Sequence, residues 1–412
     1  MLLLITFIFF HSVNYLYSFS IPKRTQEYSV LFSSDIPLFK QHPIFKKQLP
    51  HINLGIFPTP IHKVEKFCDC ADESIASHFN LYIKRDDLCS CNKNLLTQKP
   101  IGNYVLRALE FLMAGALYNN AKEILTMGQI NSYYVPVISS CATNTNLEST
   151  VLLYPEKTFK NITPEEIQNI LLTLKYTTNI LYFHSEALAN IELIKIGREY
   201  AQKNIITPYL IPFYCQDTLG AIGFVNAAYE LQEQIQDNII NEPTNIFINL
   251  ENPAFIAGLI VGLRISGIKS KLWAVKIDAC YEKNITQKIF EYITDLNESL
   301  ANLCPRFTKV SFDNLNFNII SSTQQVKNIV TKLIFPQENL LIKDEKNKIA
   351  ISFLINLLSQ EENKNITNLF WFTNYAEDIS LTTTQISPNK KIPEQLKKYL
   401  ALAQQKKFYI NI

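Results

Sequence analysis

Apolar residues recur at helical spacing in the stretch from residue 101 to 134, IGNYVLRALEFLMAGALYNNAKEILTMGQINSYY. Leu106, Leu109 and Met113 fall on one face, which is typical of an amphipathic helix. The apolar run 124–127 then ends at Gly128 and predicts a strand that enters a loop before a second helix from about Val135. Ligands bind at the loops after such strands, so this βα unit indicates a candidate site.

Strand-like and helix-like segments alternate along most of the chain. Short apolar runs predict strands, and longer amphipathic stretches predict helices. The predicted strands cover 81–88, 151–154, 179–183, 208–213, 245–250 and 271–277, and the further predicted helices cover 167–177, 185–203, 219–236 and 255–266. This order favours an α/β fold with a mainly parallel sheet and helices on both of its faces.

Composition narrows the class of protein. The chain has 412 residues, of which 47% are hydrophobic and 18% are charged, so it is long enough for one large domain or two joined ones. Its formal net charge is +2, which gives no reason to expect a nucleic acid as partner. Glycine is scarce, with 10 residues where an average usage of about 7% would give roughly 29.

The first 20 residues resemble a signal peptide. The segment 2–10 is nearly all apolar, and Ser18-Phe19-Ser20 has the small residues of a cleavage site, although a positively charged segment is missing. The apolar run is too short to span a bilayer comfortably. Export of the protein and a cytoplasmic location with an apolar extension both stay open.

Two C-x-C pairs stand out among the eight cysteines, namely Cys68 with Cys70 and Cys89 with Cys91. A disulfide between the pairs is expected if the chain is exported, and free thiols are expected if it is cytoplasmic. Zinc sites usually have wider cysteine spacing, and the six histidines show no paired metal spacing. No metal site is therefore predicted.

Several phrases of the sequence resemble one enzyme family. They are LPHINLGIFPTPIHKVEKF at 49–67, LYIKRDDL at 81–88, RALEFLMAGAL followed by AKEILTMGQINS, and LGAIGFVNAAYELQEQI at 219–235. They resemble phrases of the D-cysteine desulfhydrase and 1-aminocyclopropane-1-carboxylate (ACC) deaminase family, whose members are fold-type II enzymes that depend on pyridoxal phosphate (PLP). The resemblance covers most of the chain from about Leu38 and is weakest in the last third.

The resemblance implies a fold-type II, tryptophan synthase β-like architecture of two α/β domains with mainly parallel sheets. Residues 21–105 and 205–412 are then expected to form a large domain, and residues 106–204 a small one. The active site of the family lies at the junction of the two domains. The resemblance also implies a homodimer.

The catalytic lysine of the family is missing from the position where the resemblance places it. PLP chemistry uses a lysine amine that holds the cofactor as a Schiff base, and the family has this lysine in a Gly-Gly-Asn-Lys phrase. Alignment on Arg107 puts Val105 at the lysine position, and alignment on Asn103 puts Tyr104 there. Neither side chain can form a Schiff base.

The loop that meets the substrate in the family is also altered. The family has Gln-Ser-Asn-His, whose serine and amide groups contact the substrate carboxylate and the cofactor, whereas this chain has Asn131-Ser132-Tyr133-Tyr134. Ser132 matches the family serine, and Asn131 is a polar substitute. The two tyrosines are expected to occupy space that PLP uses, to line a different pocket or simply to pack in the core.

The phosphate-binding phrases of the family have lost their glycines. A phosphate needs backbone N–H groups at a helix N-terminus, where close approach favours glycine. The corresponding loop here contains Glu251, which adds negative charge, and Pro253, which removes an N–H group. The glycine-rich phrase before the helix 219–236 is replaced by FYCQD at 213–217. Near the C-terminus, a family phrase keeps Thr373 but loses its histidine and two glycines.

These departures predict a catalytically degenerate homologue, without a cofactor, that has a binding or interaction role, for example toward a small molecule in the cleft between the domains. The alternative is an active PLP-dependent lyase or deaminase that acts on a small amino acid through a displaced lysine, such as Lys99 or Lys93 on the preceding loop. A third hypothesis is an exported structural or partner-binding protein. If PLP is bound, the expected contacts are Asn103, Asn131, Ser132 and Thr373.

Overall fold

A computed structural model describes residues 34–68, 80–89, 103–155, 164–202, 208–276, 284–321, 332–334, 339–342, 345–358, 366–373, 384–385, 391–405 and 410–411. The signal-like residues 1–20 and the lysines Lys93 and Lys99 lie outside the described residues. One cysteine of each C-x-C pair, Cys70 and Cys91, also lies outside them. The predictions on processing, on a displaced lysine and on disulfides therefore stay predictions.

The helices and strands follow the predicted alternation. The helices are α1 (Pro37–Gln41), α2 (Pro43–Lys46), α3 (Leu106–Tyr118), α4 (Tyr134–Asn144), α5 (Pro164–Tyr176), α6 (Glu186–Gln202), α7 (Thr218–Gln236), α8 (Pro253–Ile265), α9 (Ile285–Leu303), α10 (Glu345–Leu358) and α11 (Glu394–Gln405). The strands are β1 (Ile61–Lys63), β2 (Lys66–Cys68), β3 (Asn80–Arg85), β4 (Glu123–Gln129), β5 (Glu148–Tyr154), β6 (Asn179–Tyr182), β7 (Tyr209–Leu210), β8 (Asn245–Asn249), β9 (Lys271–Lys276), β10 (Phe317–Ser321), β11 (Lys332–Ile334), β12 (Asn339–Leu341), β13 (Thr367–Phe372), β14 (Thr384–Gln385) and β15 (Ile410–Asn411).

The larger sheet has six strands in the order β1-β3-β13-β8-β9-β10. Its pairs are parallel except for β1 with β3, which are antiparallel. Strand β13 is completely buried and places Leu369 opposite Ile246 of β8. The apolar character of these strands follows from burial on both faces, which is usual in parallel sheets. The predicted α/β class with mainly parallel sheets is confirmed.

The smaller parallel sheet has four strands in the order β6-β5-β4-β7, all taken from residues 123–210. Two minor sheets, β12-β11-β2 and β14-β15, complete the described strands. The division into domains at residues 105 and 205 stays a prediction. Among the described helices, none is long and apolar enough to cross a membrane.

Helices α3, α7 and α8 pack closely through glycines. A Cβ atom added to Gly223 of α7 would lie 2.0 Å from the carbonyl oxygen of Arg107 in α3. A Cβ atom added to Gly258 of α8 would lie 2.2 Å from the carbonyl oxygen of Ala221 in α7. Both distances are far below van der Waals contact, so any larger residue would push the helices apart. The glycines therefore allow α7 to approach both α3 and α8 closely.

Two predicted strands are shorter than expected. The predicted strand 208–213 is β7, which ends at Leu210 because Pro212 has no N–H group to continue a ladder. Residues Phe213–Cys215 instead form a single tight turn before α7. The predicted strand 81–88 ends at Arg85, and Asp86–Leu88 also form a tight turn.

Candidate phenol–carboxylate site

Three loops meet at one point through Tyr104, Tyr133 and Glu251, which we call the phenol–carboxylate cluster. The Tyr104 phenol donates a hydrogen bond to Glu251 Oε2 at 2.7 Å, and the Tyr133 phenol donates to the same oxygen at 3.1 Å. The two phenol oxygens are 3.1 Å apart. Tyr104 precedes α3, Tyr133 follows β4 and Glu251 follows β8. Three residues that lie far apart in the sequence therefore form one hydrogen-bonded group.

The chain before α3 explains where the two candidate lysine positions lie. Asn103 Oδ1 accepts a hydrogen bond from the backbone N–H of Val105 at 2.9 Å, which closes a turn into the helix. Val105 is fully buried in the hydrophobic core. Tyr104 is also buried, with its ring edge-to-face on Phe255 at 5.8 Å between ring centroids. One candidate position is therefore hydrocarbon, and the other is a phenol bound to a carboxylate.

The phenols of the cluster stay protonated over the physiological range. Burial raises the pKa of Tyr104 well above its usual value, and the charge of Glu251 raises the pKa further. The same two causes, in the same order, raise the pKa of Tyr133. A neutral phenol is a hydrogen-bond donor, whereas a phenolate beside a carboxylate would be repelled. The cluster therefore consists of one carboxylate that accepts hydrogen bonds from two neutral phenols.

Aromatic rings surround the cluster on the side of the smaller sheet. The rings of Tyr134 and Tyr214 have centroids 4.4 Å apart, and Phe213 lies 5.5 Å from Tyr134. Tyr134 is buried and its phenol donates to the carbonyl of Met127 at 3.2 Å. Of the three uses expected for the paired tyrosines, Tyr134 thus packs in the core. Tyr133 contributes a hydroxyl to the cluster.

The turn Phe213–Cys215, which precedes α7, has an unusual backbone. Tyr214 has φ 54° and Cys215 has φ 56°, so two successive residues with side chains lie in the left-handed region. The amide of Asn252 donates to the carbonyl of Tyr214 at 2.7 Å. Side chains rarely adopt this region because Cβ crowds the backbone. Glycine adopts this backbone conformation most readily, yet the turn contains no glycine.

The N-termini of α7 and α8 are capped by their own side chains. Asp217 accepts a hydrogen bond from the N–H of Leu219 at 2.7 Å. Asn252 Oδ1 accepts from Ala254 at 2.9 Å and from Phe255 at 3.4 Å. Such caps satisfy backbone donors that would otherwise be open to an anion. These two helix ends therefore differ from a glycine-lined phosphate cradle.

Buried polar groups without partners mark three of the four predicted contact residues. Asn103 Nδ2, Ser132 Oγ and Thr373 Oγ1 are buried, and none has a hydrogen-bond partner among the described residues. The Ser132 hydroxyl lies near the Tyr134 phenol, but without the geometry of a hydrogen bond. Buried polar atoms are nearly always bonded, so each such group calls for an explanation such as water or a ligand.

These three groups lie on elements that adjoin the phenol–carboxylate cluster. Asn103 and Ser132 directly precede Tyr104 and Tyr133, and Thr373 follows β13, the neighbour of β8 in the larger sheet. The fourth predicted contact, Asn131, is only partly buried, and its backbone carbonyl accepts a hydrogen bond from Asn169 at 3.2 Å.

A buried ion network links β3 of the larger sheet to helices α3 and α7, and it includes the lysine of the LYIKRDDL phrase. Arg107 binds Asp86 through two hydrogen bonds of 2.7 Å and donates to Glu230 Oε2 at 3.0 Å. Lys84 donates to Glu230, to the Thr59 carbonyl at 2.9 Å and to an amide oxygen at 2.9 Å. All three N–H groups of Lys84 are thus used. Lys84 therefore serves this network and is not available as a displaced catalytic amine.

The network has electrostatic consequences for its members. Burial raises the pKa of Glu230, but Arg107 and Lys84 outweigh burial and hold this pKa at about 2. Burial lowers the pKa of Lys84, and the charge of Glu230 opposes this shift. Glu230 is therefore a buried carboxylate kept ionised by two cations. The sequence contained no signal for this role of Glu230, which lies far along the chain from Lys84 and Arg107.

Comparison with known proteins supports the resemblance. No protein-family model matches the sequence. The chain is 27% identical over 231 residues to the bifunctional D-cysteine desulfhydrase/ACC deaminase of Arabidopsis thaliana, a match that covers 55% of this chain and 54% of that protein. It is 26% identical over 217 residues to D-cysteine desulfhydrase of Yersinia pestis, covering 53% and 61%. The matches thus span between half and two thirds of these relatives.

Solved structures show the same fold. An ACC deaminase homologue superposes with a TM-score of 0.57 at 20% identity, over 81% of this chain and 95% of that chain. Threonine deaminase isoform 2 of Solanum lycopersicum superposes with a TM-score of 0.50 at 12% identity, over 89% and 86%. At these low sequence identities, the superpositions show that the fold is shared and show nothing about activity.

The prediction that the chain has no cofactor is wrong by this comparison. The relatives are PLP-dependent enzymes, so PLP is the cofactor that the similarity indicates. Val105 and Tyr104 do not fit a Schiff base with PLP at the family position. The orphaned groups of Asn103, Ser132 and Thr373 do fit noncovalent polar contacts to a bound molecule. The sequence matches and the shared fold support the assignment of this chain to the D-cysteine desulfhydrase/ACC deaminase family of fold-type II PLP-dependent enzymes.

Proposed function

We propose that this chain is a catalytically degenerate member of its family that binds a small molecule in the cleft without forming a Schiff base. One observation carries this proposal. The Tyr104 phenol occupies a candidate lysine position and is hydrogen-bonded to Glu251, from the former phosphate loop, at 2.7 Å. A phenol of raised pKa is neither an amine nor an ionised nucleophile.

The mutual hydrogen bonds of the phenol–carboxylate cluster indicate that its three residues were selected together and did not accumulate as unrelated changes after loss of the lysine. Loss of a lysine alone would leave the rest of the old site unchanged. Here Tyr104, Tyr133 and Glu251 satisfy one another with three polar distances between 2.7 and 3.1 Å. A hydrogen bond to a charged group stabilises a protein by roughly 1.5–3 kcal/mol. The three residues therefore stabilise the cleft in its present form.

A binding role is supported by the orphaned polar groups at the same loops. Asn103 Nδ2 can only donate, whereas the hydroxyls of Ser132 and Thr373 can donate or accept. A molecule with hydrogen-bond acceptors would satisfy all three groups. PLP itself, held without a covalent bond, is one such molecule.

The second candidate function is an active PLP-dependent lyase or deaminase. The names of the curated relatives favour it, since these proteins are D-cysteine desulfhydrases or ACC deaminases. It requires a lysine from outside the described residues, such as Lys99, to reach the cleft. The two candidates differ in whether PLP becomes linked to the protein.

Borohydride reduction distinguishes the two functions. The full chain would be purified with PLP, its visible absorption recorded, and the protein reduced and digested for peptide mapping. Our proposal predicts that PLP stays removable by dialysis and labels no lysine. A label on one lysine, together with release of sulfide from D-cysteine, would establish the active alternative and name its catalytic residue.

Two restored-lysine variants sharpen this experiment. Tyr104→Lys and Val105→Lys each place an amine at one candidate family position. If the cleft accepts PLP and lacks only the amine, one variant should become labelled at the new lysine whereas the parent protein should not. The variant that becomes labelled would also decide which of the two alignments is correct. Equal labelling of parent and variants at a native lysine would contradict the proposal.

A further inference from the structure

The segment 211–217 connects the two parallel sheets and holds a strained backbone. It runs from β7 of the smaller sheet to α7, whose Glu230 accepts a hydrogen bond from Lys84 of β3 in the larger sheet. Its central residues, Tyr214 and Cys215, have φ of 54° and 56°. Non-glycine residues in this region carry strain that persists only where neighbouring structure imposes it. Such strain is common in clamps and switch segments.

Contacts from both sides hold this linker in place. From the larger sheet, the Asn252 amide donates to the Tyr214 carbonyl at 2.7 Å. From the smaller sheet, the rings of Tyr134 and Tyr133 lie 4.4 and 6.2 Å from the Tyr214 ring. Within the linker, the Cys215 N–H donates to the Pro212 carbonyl at 2.8 Å. The strained turn is thus fastened to both sheets.

We infer that the linker is a conformational switch whose strained form is held by Asn252 and by the tyrosines of the smaller sheet. When these contacts are lost, Tyr214 and Cys215 can relax to extended backbone, which both residue types prefer. A change of backbone dihedral angles in the linker rotates α7 relative to β7. Relaxation therefore moves the smaller sheet relative to the larger one and opens the loops of the phenol–carboxylate cluster. The inference does not depend on what the cleft binds.

Asn252→Asp tests the larger-sheet contact without removing the helix cap. Aspartate keeps the side-chain oxygen that caps α8, and it is an equally good cap residue. It lacks the amide donor to the Tyr214 carbonyl. The switch predicts that the amides of Cys215 and Gln216 exchange hydrogen about tenfold faster in the variant, as expected when one hydrogen bond is lost.

Asn238→Asp is the matched control. Its amide donates to the Gln236 carbonyl at 3.5 Å on an exposed turn, so the same change of charge occurs away from the linker. The control should leave linker exchange unchanged. Exchange of the linker that is the same in Asn252→Asp and in the parent protein would overturn the inference.

A double-variant cycle separates a switch from an ordinary structural contact. Glycine tolerates a positive φ, so Cys215→Gly removes strain that drives relaxation. In that background, Asn252→Asp should accelerate linker exchange much less than it does alone. An equal acceleration in both backgrounds would show that the Asn252 contact merely stabilises the loop. Small-angle scattering supplies the global readout: Asn252→Asp should increase the radius of gyration, and an unchanged radius would refute movement of the sheets.

Discussion

Tyr104 shows how the chemistry of a residue can depend on a partner that is distant in the sequence. Its phenol points to a carboxylate at 2.7 Å, and both burial and that carboxylate raise its pKa. The sequence can single out position 104 as one of two candidate lysine positions, because the expected lysine is a local feature of one phrase. It cannot reveal the partner, since Glu251 lies 147 residues away and no local pattern links the two. The chemistry of the phenol–carboxylate cluster is therefore visible only after folding.

At the residue scale, Tyr104→Phe should lower the free energy of unfolding by about 2 kcal/mol, because a buried hydrogen bond to a carboxylate is lost. Urea denaturation would measure this change. Tyr200→Phe is the matched control, since its phenol donates to Glu123 Oε2 at 3.3 Å outside the cluster and nearer to solvent. It should cost under about 1 kcal/mol. Equal losses in both variants would argue against a special role for the cluster.

The linker between β7 and α7 shows the limit of sequence reasoning at the scale of elements. Helix α7 was predicted at 219–236 and is found at Thr218–Gln236. The prediction succeeded because the apolar residues of this helix recur at helical spacing in the local sequence. The strand that was predicted at 208–213 is only two residues long in the structure. The left-handed turn at Tyr214 and Cys215 was not predicted, since neither residue type favours it. Tertiary contacts impose that conformation, and a local pattern does not encode them.

Backbone strain at Cys215 predicts an unusual order of variant stabilities. Cys215→Gly and Cys215→Ala both remove the buried thiol, but only glycine adopts φ 56° freely. The glycine variant should therefore be the more stable of the two by about 1 kcal/mol in chemical denaturation.

Cys141 provides the opposite case on the same scale. It is buried within α4, where glycine is less favourable than alanine by about 1 kcal/mol. Cys141→Gly should therefore be less stable than Cys141→Ala. The same order of stabilities at both cysteines would show that Cys215 is not strained.

At the scale of the whole molecule, the buried ion network joins parts of the chain that the sequence separates widely. Arg107 at the start of α3 and Lys84 in β3 both bind Glu230 in α7. Arg107 also binds Asp86, which accepts a hydrogen bond from the indole of Trp371 in β13 at 2.7 Å. Breaking a buried pair by removing one partner typically costs about 3–5 kcal/mol, because a charge is left uncompensated. Glu230→Gln should therefore strongly destabilise the protein at neutral pH.

The pKa of Glu230 also predicts how stability depends on pH. It is lowered from 4.5 to about 2 in the folded protein, so this carboxylate stabilises the fold above pH 4.5 and loses its contribution as the pH falls toward 2. The lowering corresponds to roughly 3 kcal/mol of stability. Acid denaturation of parent and Glu230→Gln proteins should therefore differ, with a flatter pH dependence between pH 4.5 and 2 in the variant. Glu233→Gln, which breaks only a surface pair with Lys40, should retain the slope of the parent protein, and a flattened slope in this control would assign the acid sensitivity to other carboxylates.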